Sequence, residues 1–159
     1  MIGQRIGQRI GRVLGVALAV PLLVLATSTA AHADGDIQWR HVNGGGCLGG
    51  AWDHHYGWYD VDLHPCWFGA TKWQDVSVGD NVRIERMAEV PGSCLAAYTD
   101  HDAYVEACTG NNDYQRWREI RTGDGWKLQN VATGECLDSN NSDVYMHQCN
   151  DGNVFQLWA

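Results

Sequence analysis

Apolar residues are distributed along this chain in two different ways. From Val13 to Leu25 they form an almost continuous run, with Pro21 inside it. Beyond residue 33 they alternate with polar residues in short bursts parted by Gly-rich turns, and no stretch sustains a helical period. The first run, about a dozen residues, is too short to cross a bilayer as a helix. Arg5, Arg9 and Arg12 precede it without an acid among them, and small residues ending in Ala31-His32-Ala33 follow it. A basic start, a short apolar middle and an A-x-A end predict a secretory signal peptide over 1–33, with cleavage leaving 126 residues from Asp34 onward.

The alternating pattern predicts strands. After Trp73 the chain reads Gln-Asp-Val76-Ser-Val-Gly79-Asp80-Asn-Val82-Arg-Ile84, and after Trp117 it reads Arg-Glu-Ile120-Arg-Thr-Gly123-Asp124-Gly-Trp126-Lys-Leu128. Val76 and Ile120, Val82 and Trp126, and Ile84 and Leu128 stand at matching offsets around a Gly-Asp turn. This predicts two β-hairpins, each with one buried face carrying those apolar residues.

The match extends to the whole chain. Cys47-Leu48, Cys94-Leu95 and Cys136-Leu137 each open a segment that closes on Cys66, Cys108 or Cys149, and Trp73, Trp117 and Trp158 follow. These tryptophans are 44 and 41 residues apart, so a unit of roughly forty residues is repeated three times. Six cysteines allow about 15 pairings, and the repeat selects one bridge per unit: Cys47–Cys66, Cys94–Cys108 and Cys136–Cys149. Each would contribute about 3 kcal/mol by restricting the unfolded chain. Three repeats with room for four short strands each predict an all-β, threefold barrel. Trp158-Ala159 would close it by pairing with Ile37-Gln38-Trp39 and so remove the sheet edges. A propeller is the rival architecture, but three units fall short of its usual four to eight blades.

Cys-Leu, a second Cys and a closing Q-x-W, as in Gln115-Arg116-Trp117 and Gln156-Leu157-Trp158, resemble the ricin-B lectin family, also called carbohydrate-binding module family 13. Thr71-Lys72-Trp73 is a degenerate copy of the last motif. The resemblance runs from about Ile37 to Trp158. It implies a β-trefoil over 34–159, with repeats at about 37–80, 81–124 and 125–159, and up to three shallow sugar sites. In such a site a carboxylate after Cys-Leu accepts from sugar hydroxyls, a flat residue before the second Cys stacks on the ring, and an amide near Q-x-W bonds the same hydroxyls.

The third repeat matches best. Asp138 stands at the carboxylate position, His147 at the stacking position, Tyr145 at the neighbouring polar contact and Gln156 at the motif glutamine. Phe155 occupies the place where the family often has Asn, and Asn153 two residues earlier is the substitute. In the second repeat Ala96 replaces the carboxylate and Glu106 the stacking residue, so no site of this type is expected; Asp100 and Asp102 read as an acidic surface loop. In the first repeat Gly49 replaces the carboxylate and the loop over 51–64 is longer. Its Trp52, Tyr56, Trp58 and Tyr59, with His64 and the following Trp67 and Phe68, predict a recognition surface for sugars or a secreted protein partner.

Composition narrows the function. Loss of the leader leaves 8 basic against 19 acidic residues, a net charge near −11 that disfavours nucleic acid and anionic membranes. The spacing of His54, His55, Asp60, Asp62 and His64 fits no standard ligand motif, so no metal is expected. With six cysteines paired, no nucleophile elbow and no glycine-rich phosphate loop, neither catalysis nor a cofactor is expected. The expected protein is a secreted, extracellular lectin of galactose-like glycans with its main site in the third repeat. The alternative is a trefoil whose sugar sites have decayed, acting as an adaptor in a secreted complex.

Overall fold

The computed structural model describes residues 34–53 and 58–159. Eleven strands among them join in one antiparallel sheet: β1 (Gly35–Ile37), β2 (Cys47–Asp53), β3 (Trp58–His64), β4 (Trp73–Gly79), β5 (Val82–Met87), β6 (Ser93–Ala97), β7 (Ala103–Ala107), β8 (Trp117–Arg121), β9 (Trp126–Asn130), β10 (Cys136–Ser139) and β11 (Val144–His147). Each repeat contributes a hairpin, β2–β3, β6–β7 or β10–β11. The hairpins β4–β5 and β8–β9 carry the chain from one repeat to the next. A single 3-10 turn, at Gly69–Thr71, Asp113–Gln115 or Val154–Gln156, leads back to the barrel in each repeat. The fold is a β-trefoil.

Three bridges join Cys47 to Cys66, Cys94 to Cys108 and Cys136 to Cys149, each with Cα atoms 5.0 Å apart. The bonding within a repeat explains why Cys-Leu and the later Trp recur together. Trp73 donates its indole N–H to the Leu48 carbonyl at 2.9 Å, Trp117 to Leu95 at 2.9 Å and Trp158 to Leu137 at 3.2 Å. Each tryptophan thus buries its ring while satisfying its one donor, and each leucine side chain enters the same core.

Closure of the barrel differs from the expected pairing. Ala159 exchanges backbone bonds of 2.8 Å with Arg40, and Val42 donates to the Leu157 carbonyl at 2.9 Å. Ile37 instead pairs with Trp73 on β4. The barrel edge is therefore sealed by residues 40–42, immediately before β2, while 35–37 form an added strand beside β4. Gly79, Asp80 and Asn81 all have positive φ (112°, 42° and 60°) in the turn after β4. Gly79 is the position there that needs the freedom of glycine.

The hairpins form where expected, and on β9 Trp126 and Leu128 face the core as expected, but on β4, β5 and β8 the other side is turned to it. Register pairs Trp73 with Met87, Asp75 with Glu85 and Ser77 with Arg83 on one face, and Val76 with Ile84 on the other. Glu119 lies two residues from Trp117 and opposite Leu128. Trp73 and Trp117 fill the core, both fully buried, and the two-residue period then carries Asp75 and Glu119 inward after them. As a result Asp75, Arg83, Glu85 and Glu119 are all buried.

Candidate functional site

On β10 and β11 the alternation sends Leu137, Val144 and Met146 into the core and leaves Asp138, Tyr145 and His147 on the other face. Asp138 lies directly opposite Tyr145, and His147 opposite Cys136. Asp138 is 2% exposed. The Asn153 side-chain amide donates to Asp138 Oδ2 at 2.7 Å. Asn153 itself is fixed as the cap of the last 3-10 turn, where its Oδ1 accepts the Phe155 N–H at 3.0 Å. This leaves an oriented carboxylate beside an exposed imidazole and the half-buried Tyr145 phenol, which also interacts with it. Burial, and next to it the Asp138 charge, push the Tyr145 phenol above its ordinary pKa, which keeps it a neutral donor.

Gln156 has a different place. It is fully buried, accepting the Asn150 N–H at 2.9 Å and donating to the Gln148 carbonyl at 3.0 Å. It therefore braces the loop under the site and presents no atom to a ligand. Lys127 supports the same loop from below, donating to the Asn150 carbonyl at 2.7 Å with Asp151 at 3.2 Å.

The second repeat keeps the frame and fills the pocket. Ala96 faces Tyr104, as Asp138 faces Tyr145. Asn112 caps its turn as Asn153 does, and Gln115 bonds Thr109 and Ala107 as Gln156 bonds Asn150 and Gln148. Glu106, in the stacking position, accepts from Tyr98 at 2.7 Å and Gln115 at 2.6 Å, so its carboxylate is internally satisfied. Tyr98 stacks on Tyr114 at 4.6 Å. Asp100 accepts the Tyr104 hydroxyl at 2.5 Å, and Asp102 caps the Ala103 N–H.

In the first repeat the equivalent space is occupied. A Cβ on Gly49 would meet His64 at 2.9 Å, Thr71 at 3.0 Å and the Ala70 carbonyl at 3.1 Å. His64 packs on Phe68 with ring centres 4.9 Å apart, and burial lowers its pKa, so the ring is neutral at pH 7. Gln38, which sequence reasoning passed over, supplies the amide that Thr71 lacks. It donates to the Cys66 carbonyl at 2.7 Å and to Thr71 Oγ1 at 2.6 Å. Trp52 is 45% exposed and meets Tyr59 edge-on at 5.0 Å. Trp67, at 84%, is the most open of the large apolar side chains among the described residues. Trp58 opens β3, while Tyr56, His54 and His55 lie outside the described residues.

Two charged groupings went unseen in the sequence. Asp75, Glu85 and Glu119 bring carboxylate oxygens within 4.8 Å of one another inside the protein. Arg83 Nε lies 3.2 Å from Asp75 and 3.7 Å from Glu119. Burial first, and Asp75 second, push the Glu119 carboxyl up to about 7 and the Glu85 carboxyl well above its ordinary value. The second grouping lies where the three repeats meet. Asp102 bridges backbone to backbone with Tyr145, and Asp62 has its carboxyl pushed up to about 6 by burial, then by Asp60, Asp143 and Asp102.

A threefold trefoil whose third repeat keeps a carboxylate opposite Tyr145, beside an exposed His147, defines a carbohydrate-binding class of β-trefoil. The chain belongs to the ricin-type β-trefoil lectin domain family, whose model matches residues 33–158. No curated protein matches it. Among solved structures, a designed threefold-symmetric protein, ThreeFoil, superposes with a TM-score of 0.67 at 21% identity, over 79% of this chain and 96% of that one. A Polyporus squamosus lectin bound to a sialylated epitope gives 0.67 at 19% identity, over 80% of this chain and 48% of that one. SeviL bound to asialo-GM1 saccharide gives 0.61 at 12% identity, over 79% and 95%. At these identities the likeness is one of fold.

Proposed function

We propose that the chain is a secreted lectin, exported by way of residues 1–33, that binds galactose-like glycans through its third repeat. The observation that carries this reading is the Asp138 carboxylate at the family position, with Oδ2 held by Asn153 and Tyr145 directly opposite. Asn153 and Tyr145 orient the carboxylate from two sides, and an oriented carboxylate accepts from sugar hydroxyls. In this reading Asp138 and Asn153 bond adjacent hydroxyls, Tyr145 adds a neutral donor and His147 lies against the ring. Gln156 and Lys127 hold the loop that carries Asn153. No catalytic step is assigned.

The test is a glycan array on residues 34–159, with Asp138→Ala beside the parent. A coherent set of bound glycans that vanishes in the variant supports the lectin, with a thermal midpoint within a few degrees. Binding that survives in Asp138→Ala removes the third repeat from the account. A blank array from folded protein favours the second reading, a protein-binding adaptor. That reading rests on the exposed Trp52 and Trp67 and on the filled pockets of the first two repeats.

A further inference from the structure

The third-repeat pocket is bordered by acids from other repeats. Asp143 immediately precedes β11, two residues before Tyr145, and is near enough for its charge to act on the Tyr145 phenol. Asp102 comes from the second repeat. Its backbone bridges to Tyr145 on the side away from Asp138, and the neighbouring His101 carbonyl accepts the Met146 N–H at 2.9 Å. Asp62 lies on β3 of the first repeat, which packs against β11; burial raises its carboxyl most, and the charges of Asp60, Asp143 and Asp102 add to that. Strands from three repeats thus bring acids to the neighbourhood of Tyr145, which lies opposite Asp138.

Positive charge does not offset them. Lys127 is buried, with its ammonium engaged by the Asn150 carbonyl and Asp151. His101 sits within 3.0 Å of Glu135, which answers it. Among the described residues no Lys or Arg forms an ion pair with Asp62, Asp102, Asp138 or Asp143. Asp143 accepts from the Asn140 amide at 3.2 Å, and Asp102 from the Ala103 N–H at 2.9 Å and from Tyr104, all of them neutral partners. The field over the pocket is therefore uniformly negative. A charge entering it is attracted or repelled over a Debye length, about 8 Å at physiological salt.

We propose that this pocket, if it is the sugar site argued above, selects by charge: it prefers sugars bearing a free amine to their neutral counterparts and rejects uronic, sulfated or sialylated ones, with Asp102 and Asp143 as the selecting residues. Asp138 and Asn153 recognise hydroxyl geometry, which galactosamine and galactose share; the rim then ranks ligands that fit equally well. Electrostatic complementarity of this kind governs specificity more than raw affinity.

The test uses methyl glycosides of the galacto and gluco series in three forms, amine, hydroxyl and uronic acid, titrated into residues 34–159 at pH 7.5 and followed by NMR. At about 20 mM salt the amine should bind roughly five- to tenfold more tightly than the hydroxyl form, and the acid more weakly than either. At 0.5 M salt the spread should shrink to about twofold. Asp102→Asn combined with Asp143→Asn keeps the local hydrogen bonds and should compress the amine-to-hydroxyl ratio to about twofold at low salt. Neutral sugars that bind with all three forms equal, or with the acid tightest, would overturn the charge selection and leave the sugar site standing. A ratio unchanged in the double variant would take the selection away from these two residues. Failure of every sugar to bind would overturn the lectin reading and this inference together.

Discussion

Glu119→Gln separates the buried acid cluster from every other source of pH dependence. Glu119 is 4% exposed and faces Asp75 and Arg83, and its carboxyl is pushed from 4.5 up to about 7, first by burial and then by Asp75. Because the folded value is raised, the folded state holds the proton more tightly than the unfolded chain does. The stability it contributes is fully present below about pH 4.5 and is lost as pH climbs through about 7, after which it changes no further. Moving one carboxyl that far corresponds to on the order of 3 kcal/mol, an upper figure because Asp75, Glu85 and Arg83 share the same field. Glu85 and Asp62, both raised as well, act in the same direction. Glutamine keeps the volume of Glu119 and offers Asp75 a permanent N–H in place of the titrating proton. Urea unfolding with the disulfides intact, at pH 4.5, 6 and 8, reads the effect. The parent should lose stability across this window, and the variant should gain on it by about 2–3 kcal/mol between the two extremes. Parallel stability curves, or a parent that becomes more stable as pH rises from 4.5 to 8, would refute the assignment.

Two further outcomes follow from packing. Gly49→Asp, which restores the family carboxylate in the first repeat, should create no sugar site and should cost about 1–3 kcal/mol in thermal unfolding. Its Cβ would meet His64, Thr71 and the Ala70 carbonyl at 2.9–3.1 Å. Gln115→Ala removes bonds to Thr109, Ala107 and Glu106 at once. It should destabilise by about 1–3 kcal/mol in urea without changing glycan binding.

Most of the architecture was legible before any coordinate, because the trefoil writes itself into the chain three times. Each Cys-Leu and each closing tryptophan serves one local bond set, an indole N–H to a leucine carbonyl, and a disulfide within the same repeat. Such short-range requirements leave a spacing that can be read, so the repeat units, the cystine pairing and the position of Asp138 came from sequence. Glu106 likewise stood out in sequence at the stacking position, and the structure engages its carboxylate with Tyr98 and Gln115.

What sequence left open depended on which side of a strand was turned inward and on which repeats became neighbours. The apolar Val76 and Ile84 looked like the buried face of β4–β5, yet the bulk of Trp73 took the core and carried Asp75 and Glu85 in with it. Gln156 looked like a ligand from its motif, but burial and two backbone partners make it a brace. Gln38 replaces a missing amide from 33 residues away, and no local pattern marks such a compensation. The acids of the proposed rim come from β3, the turn before β7 and the residue before β11. Sequence by itself determined the trefoil and its one intact carboxylate, because those rest on contacts within a repeat. Only the tertiary structure decided the charge around that carboxylate and the acids inside the barrel, because both arise where separate repeats pack together.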